Sequence, residues 1–321
     1  MVSAGDVRPT SSAAGPRSGV GAQAVSTSKR WTRPRGLSYT VPAVALFAIF
    51  IVYPVLWLIW TSISRRDAAT SGHSLFGNYL AVLTDPIFWT AVRNMAYWAV
   101  LTIGIQTILG AVLAYFIETY TRRARVLFRT VFFLPVVTSV SVIAVVWQQI
   151  YAPNYGPLQG VLGNVGIHYN GNLLGDPTTV IFACIVVNIW EFTGLAMLLY
   201  MVGLYNVPLE VLDAAKVDGA KGLRLARHVL APMLSNVTKS LLLLGVIGTL
   251  QTFPLVYLLT NGGPDNTSQI FGTYIFTKAF VENEPGYGAA LSLITLLIAM
   301  AATLIQLRVF GSRFDLTGEK K

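Results

Sequence analysis

An all-α membrane protein with six transmembrane helices is the fold that this sequence predicts, and three observations predict it. Hydrophobic residues make up 54% of the 321-residue chain and charged residues 12%, with a mean hydropathy of +0.60, whereas about a quarter of a soluble domain is charged. Six separate apolar runs each reach or approach the ~20 residues that cross ~30 Å of hydrocarbon. Loops rich in Lys and Arg alternate with loops poor in them, as in polytopic proteins.

Residues 1–36 contain Ser, Gly, Ala, Pro and Arg but no Leu, Ile or Phe. Nothing in them has the apolar periodicity needed to bury a face, so they read as a disordered cytoplasmic tail. A secretory signal would place a short apolar segment near the start. The first apolar run is instead Val41 to Trp60, long enough to span a bilayer as an uncleaved first helix. Met95 to Ile117, Thr130 to Trp147, Val180 to Leu204, Leu241 to Leu259 and Ala289 to Leu307 follow. Helix is the single-segment structure that satisfies every backbone hydrogen bond in lipid, so residues 37–311 are read as one six-helix domain. Residues 312–321 complete the chain as a second cytoplasmic tail.

Charge placement sets the orientation. One side takes six Lys and Arg in the first tail, Arg122, Arg123, Arg125 and Arg129 after helix two, Lys216, Lys221, Arg224, Arg227 and Lys239 between helices four and five, and four more at the end of the chain. Only Arg65, Arg66, Arg93 and Lys278 remain for the other side. Both termini are therefore expected in the cytoplasm. Insertion and anionic headgroups account for this pattern, so the net charge of +9 is no argument for nucleic acid and that partner is dropped.

Chemistry of the chain's own is not expected. Cys184 is the only cysteine and lies in an apolar run, His73, His168 and His228 have no metal-ligand spacing, and no glycine-rich phosphate loop precedes a helix. No catalytic residue, cofactor or metal is assigned. The segment Tyr151 to Asp176, rich in Gly, Asn and Pro with no basic residue, suits either an ordered loop at a protein contact or a plain connector.

The segment NVPLEVLDAAKVDGAKGLRLARHVLAPM, Asn206 to Met233, is too polar to span and too patterned to be a mere link. Asn206 is placed to cap a helix and Pro208 to open its first turn, while Leu209, Leu212 and Val217 form an apolar stripe. Gly219 marks the stop, and Leu223 to Leu230 reads as a second helix before Pro232. Ala214, Ala215 and Ala220 would let another backbone approach closely, and Asp213 and Asp218 would accept hydrogen bonds from it. Periodicity alone fits this docking reading and an amphipathic loop on lipid equally, since Lys221, Arg224 and Arg227 favour the latter.

The same residues resemble the EAA loop of ABC-importer permeases: Glu-Ala-Ala, three residues, Gly, nine residues, Ile, one residue, Leu-Pro. Asp213, Ala214, Ala215, Gly219, Val229, Ala231 and Pro232 stand at those places without a gap, with Asp for Glu, Val for Ile and Ala for Leu. The resemblance extends from about Thr40 to Phe310. It implies a permease subunit in the bacterial inner membrane whose coupling helix sits in a cleft of an ATPase subunit. Asp213, Ala214, Ala215, Asp218, Gly219, Ala220, Val229 and Pro232 would receive the ATPase's motion. ATP and Mg²⁺ would be held by a two-copy ATPase partner, a second related permease would complete a heterodimer, and an external sugar-binding protein would deliver cargo. Leu259 to Phe280, Gly286 to Ser292 and Phe76 to Asn94 look like the sugar-permease branch.

Candidates for the substrate path come from helix four. Glu191 stands within NIWEFTG, where a charged side chain costs about 3 kcal/mol on insertion scales and should face protein or water. Asn188, Trp190 and Thr193 surround it with hydrogen-bonding groups and an aromatic platform suited to a sugar ring. A structural pairing of Glu191 within the bundle or with a partner subunit fits equally. Gln251, beside the helix-bending Pro254, joins the path candidates. Gln106, Thr138, Ser139, Ser141, Thr249, Thr252, Ser292 and Thr295 are read mostly as interhelical or self-bonded packing groups, and Gly245 and Gly248 as points of close helix contact.

Two other functions remain open on the sequence. One keeps the transporter class but carries glycerol phosphate or another polyol derivative, a cargo whose charge would want basic residues that the spans do not offer. The other is a non-transporting membrane anchor that recruits a cytoplasmic protein through Asn206 to Met233.

Overall fold

The computed structural model describes residues 35–64, 76–120, 124–153, 155–164 and 171–311. Among them the structure is helical without strands. The expected tails, apart from Arg35 and Gly36, and with them Arg65, Arg66, Arg122, Arg123, His73 and His168, lie outside the described residues. Two units divide the chain after Val52. The described part of the first is α1 (Arg35–Phe47), which already includes the last two residues assigned to the tail, and a π turn, Ala48–Val52.

The second unit opens with α2 (Tyr53–Ser64), α3 (Gly77–Thr84) and α4 (Pro86–Tyr120). Next come α5 (Arg125–Val137), α6 (Val140–Ile150), α7 (Pro157–Asn164) and α8 (Val180–Tyr205). The segment after α8 carries α9 (Leu209–Val217), α10 (Gly222–Leu225), a π turn at Ala226–Leu230 and α11 (Ala231–Met233). The chain then runs through α12 (Ser235–Leu250), α13 (Phe253–Thr260), α14 (Phe271–Phe276) and α15 (Pro285–Gly311).

Four of the six expected spans are continuous helices long and apolar enough to cross a membrane: Thr40–Ser64, Pro86–Thr119, Val180–Tyr205 and Pro285–Val309. The third is not. Pro135 has no N–H to give and crowds the preceding turn, Thr138 and Ser139 turn extended, and α5 and α6 meet at 101°. The fifth is also broken. Its helix ends at Leu250, Gln251 and Thr252 leave the helical path, and Phe253 starts a new helix with Pro254 in its first turn. Pro254 therefore begins a helix instead of bending one, as suits a residue whose missing N–H is costless there. The apolar stretch containing α12 continues in the other direction, into Gly222–Met233, across a 69° bend.

Two apolar cores are stacked along α4 and α8. One gathers Phe88, Met95 and Trp98 with Ile181, Ile185, Leu255, Phe271 and Leu291. The other gathers Ala114, Ile117, Met197, Met201, Leu230, Leu234 and Leu241. The central element α8 carries the most buried side chains. A methyl group on Gly194 would collide with the Phe132 carbonyl, so this glycine is what lets α5 lie directly against α8. Hydroxyls within the spans mostly bond their own backbone one turn back, as do Thr102, Thr138, Thr249, Ser292 and Thr295, which keeps polar atoms satisfied in an apolar setting.

Candidate functional site

Between the two cores lies a cavity of about 420 Å³, walled by α4, α8, α12 and the 251–252 break. That volume falls in the ~300–1,000 Å³ range of small-molecule sites. Asn188, Glu191 and Gln251, three of the five path candidates, line it together. Helical geometry explains which neighbours join them, because residues three and four apart share a face. On α8 the sequence Asn188, Glu191, Phe192, Leu195 follows that spacing into the cavity.

Trp190 and Thr193 are the exceptions and do not line it. Trp190 is about half exposed and meets Trp147 edge to face at 5.5 Å, while the buried Thr193 hydroxyl donates to the Ile189 carbonyl at 2.5 Å. Both turn away because grouping by sequence distance ignores the 100° between successive helical residues. Conversely, Thr102, Gln106, Thr107 and Thr252 belong to the wall. Gln106, Thr249 and Thr252, all expected to be packing groups, line the cavity as well, and the approach of Gln106 to Asn188 is a tertiary fact with no local signal.

The wall's polar groups differ in their partners. Gln106 Nε2 donates to the Asn188 carbonyl at 3.0 Å and to its side-chain oxygen at 3.1 Å, which fixes the amide across the cavity. Glu191 is only 6% exposed, yet its carboxylate has no hydrogen bond or ion pair among the described residues. Thr252 Oγ1 is buried without a partner among them too. None of the wall residues is Lys, Arg or His. Gly245 approaches Ile103 closely, as expected of a helix contact, but Gly248 faces open space. Its role is to leave room in the cavity wall.

The segment after α8 forms the expected elbow, with corrections at its ends. Asn206 caps the preceding helix: its Nδ2 donates to the Val202 carbonyl at 3.0 Å, and Pro208 stands at the N-cap of α9. Gly219 has φ +79° with open space around it, so conformation and not room demands a glycine. Gly219 N donates to Lys216 O at 3.0 Å and Ala220 N to Ala215 O at 2.9 Å, the paired bonds of a Schellman turn. The second helix does not end before Pro232. It runs to Met233 through a π turn at Ala226–Leu230, where the Ala231 N–H bonds back to the Ala226 carbonyl and Pro232 falls in the first turn of α11.

Val207, Leu212 and Leu230 seat the elbow on the second core. Leu209, Val217 and Leu223, by contrast, are 74%, 88% and 82% exposed, so the expected stripe is shared between the core and the surface. Asp213 pairs with Lys216 at 2.8 Å, both exposed, a pair of small energetic consequence. Asp213, Ala214, Asp218 and Pro232 are exposed, Ala220 and Val229 half-buried and Ala215 buried. Nearby, Arg125 bonds Glu118 at 2.8 Å and Tyr205 donates to Glu118 at 2.6 Å, tying the ends of α4, α5 and α8.

At the opposite end of α4 a polar knot clamps the 259–284 segment. Asp85 accepts hydrogen bonds from the Tyr274 and Tyr287 hydroxyls and from Ile87 N–H. Burial pushes its carboxyl up, but these bonds and the nearby Lys278 charge hold it below the ordinary carboxylate value. Asn94 donates to the Thr267 and Gln269 carbonyls at 2.7 and 2.8 Å, and Lys278 lies between Glu282 and Glu284.

Apolar helices long enough to cross a membrane, two breaks, a midway cavity and an exposed elbow define a polytopic membrane protein. Residues 106–313 match the family described as binding-protein-dependent transport system inner membrane component, and the chain belongs to that family: it is a multi-pass permease component of the inner membrane. It is 31% identical over 276 residues to the probable ABC transporter permease protein YurN of Bacillus subtilis (strain 168), covering 85% of this chain and 94% of that one. It is 29% identical to the lactose transport system permease protein LacF of Rhizobium radiobacter, covering 90% and 97%. The fold matches a bacterial ABC transporter involved in the import of the acidic polysaccharide alginate, with a TM-score of 0.76 at 19% identity over 87% of this chain and 96% of that one. Family membership sets aside the reading of a non-transporting anchor.

Proposed function

We propose that this chain is the permease subunit of a sugar importer, passing cargo from an external binding protein through the cavity around Asn188, Glu191 and Gln251 to the cytoplasm. The observation that carries the reading is that these three residues, polar groups from separate stretches of apolar sequence, share one cavity between two apolar cores. Related permeases named for lactose and for trehalose and maltose support the cargo class. Both termini lie in the cytoplasm on this reading, so α9 and its elbow meet an ATPase dimer there, with a second related permease completing the pathway.

Asp213, Ala214, Ala215, Asp218, Gly219, Ala220, Val229 and Pro232 transmit the ATPase's closing motion. The exposed Leu209, Val217 and Leu223 supply apolar surface for that contact. Hydrolysis belongs to the ATPase, and this chain contributes rigid elements that relay it. Glycerol phosphate fits the site less well, because a phosphate would find no basic residue in the wall.

Uptake of a panel of labelled neutral sugars by cells lacking and then regaining the gene tests the proposal. Restored uptake of at least one sugar is expected. Unchanged uptake of every sugar, with the protein present in the membrane, would remove it.

A further inference from the structure

We infer that Glu191 is a charge filter: the passage admits neutral, hydroxyl-rich solutes and refuses those carrying a carboxylate, sulfonate or phosphate. This deepens the transport reading above and rests on the cavity being the route.

The wall around Glu191 explains the assignment. Glu191 as a residue is 6% exposed and lines the cavity, and a carboxylate held in so closed a space is normally paired, because an uncompensated charge there is costly. Here the described residues offer it no partner, and the remaining polar groups of the wall, Gln106, Asn188, Gln251 and Thr252 among them, are neutral amides and hydroxyls. An anion entering this space would shed water and meet no cation, and an ionised Glu191 would repel it. Neither protonation state of Glu191 supplies the positive charge that an anion needs.

A sugar hydroxyl, in contrast, can donate to the carboxylate while accepting from an amide N–H. The fold itself does not impose this choice, since the same architecture occurs in an importer of an acidic polysaccharide. Any charge selection made within the passage therefore resides in the side chains of its wall.

The filter is testable without knowing the cargo, because Cys184, the only cysteine, is buried. In the assembled transporter carrying Cys184→Ala, a reporter thiol is introduced at the wall by Thr107→Cys, with Thr249→Cys as a second site should the first not assemble. Two methanethiosulfonate reagents of similar size, one with a trimethylammonium and one with a sulfonate group, are compared after normalising to a free thiol in solution. The cationic reagent is expected to react at least tenfold faster, the ratio to fall towards one in Glu191→Gln, and to invert in Glu191→Lys.

A ratio near one, or one that Glu191→Gln leaves unchanged, overturns the filter even where sugar uptake is intact. In uptake itself, Glu191→Gln should narrow the discrimination between a transported neutral sugar and the corresponding uronate. Absence of uptake for every sugar strikes at the transport reading instead, and the thiol ratio keeps the two failures apart.

Discussion

The polar knot at the start of α4 and the cavity wall farther along the same helix differ in how completely they partner their buried polar groups. In the knot the groups are partnered: Asp85 by two tyrosines and a backbone amide, Asn94 by two carbonyls, and Gln269 by Asn266 and Thr273. In the wall, the buried Thr252 hydroxyl has no partner among the described residues, and the Glu191 carboxylate, which lines the cavity, has no hydrogen bond or ion pair among them. Since buried polar groups in folded proteins are nearly always hydrogen-bonded, the saturated set is explained by holding the fold together. On the proposed transport reading, the unsaturated set is left for what passes through or packs there from outside the chain.

The largest expected effect lies in the knot. Asn94→Ala leaves the Thr267 and Gln269 carbonyls without their donor, and with each orphaned buried group worth about 1–3 kcal/mol the loss should be about 2–6 kcal/mol. Thermal inactivation of the purified assembled transporter measures it. A midpoint within experimental error of the parent's would show that the knot is decoration and would break the comparison at its first term.

The elbow resembles the wall in being left open, here on its apolar side. Gly219→Val forces a β-branched residue into a left-handed conformation that costs roughly 1–2 kcal/mol, in a turn whose surroundings leave room for it. Membrane insertion should be unchanged while uptake falls at least tenfold and basal ATP hydrolysis persists uncoupled. Parental uptake would mean that the turn's shape is not transmitted to a partner.

Asp85 sharpens the contrast through pH. Its folded-state value lies below the ordinary 3.8, so its stabilising contribution is fully present above the unfolded value and is lost as pH falls through the folded one. The apparent melting temperature should decline from about pH 4 downwards. Asp85→Asn should flatten part of that decline while lowering stability at neutral pH. An identical acid profile in the variant would assign the acid sensitivity to other carboxylates.

Sequence patterns revealed these regions unequally. Hydropathy located the four continuous spans because length and composition suffice for them. It ran straight across the breaks at Thr138–Ser139 and Gln251–Thr252, because two residues scarcely change a window average. Gly219 was legible because its left-handed turn admits few other residues, and Glu191 because a carboxylate in an apolar run has few explanations. Trp190 and Thr193 were grouped with Glu191 by adjacency, whereas helical spacing brings Phe192 and Leu195 to the cavity wall beside it. The knot left no trace, since Asn94 and Gln269 are 175 residues apart and only the folded chain brings them together.

The smallest stability effect is also the most discriminating. If the Glu191 carboxylate holds nothing together, Glu191→Gln keeps its shape and removes a buried charge that no group of the chain compensates, so the melting temperature should stay level or rise slightly, a change of about 0–1 kcal/mol. Asp85→Asn, an equally conservative exchange, trades a carboxylate that accepts three hydrogen bonds for an amide that accepts fewer, and should destabilise. Measured side by side in the assembled transporter, the two substitutions separate a carboxylate kept for the fold from one kept for the passage. Equal destabilisation by both would give Glu191 a structural partner, contributed by a neighbouring subunit, and would return it to the company of the knot.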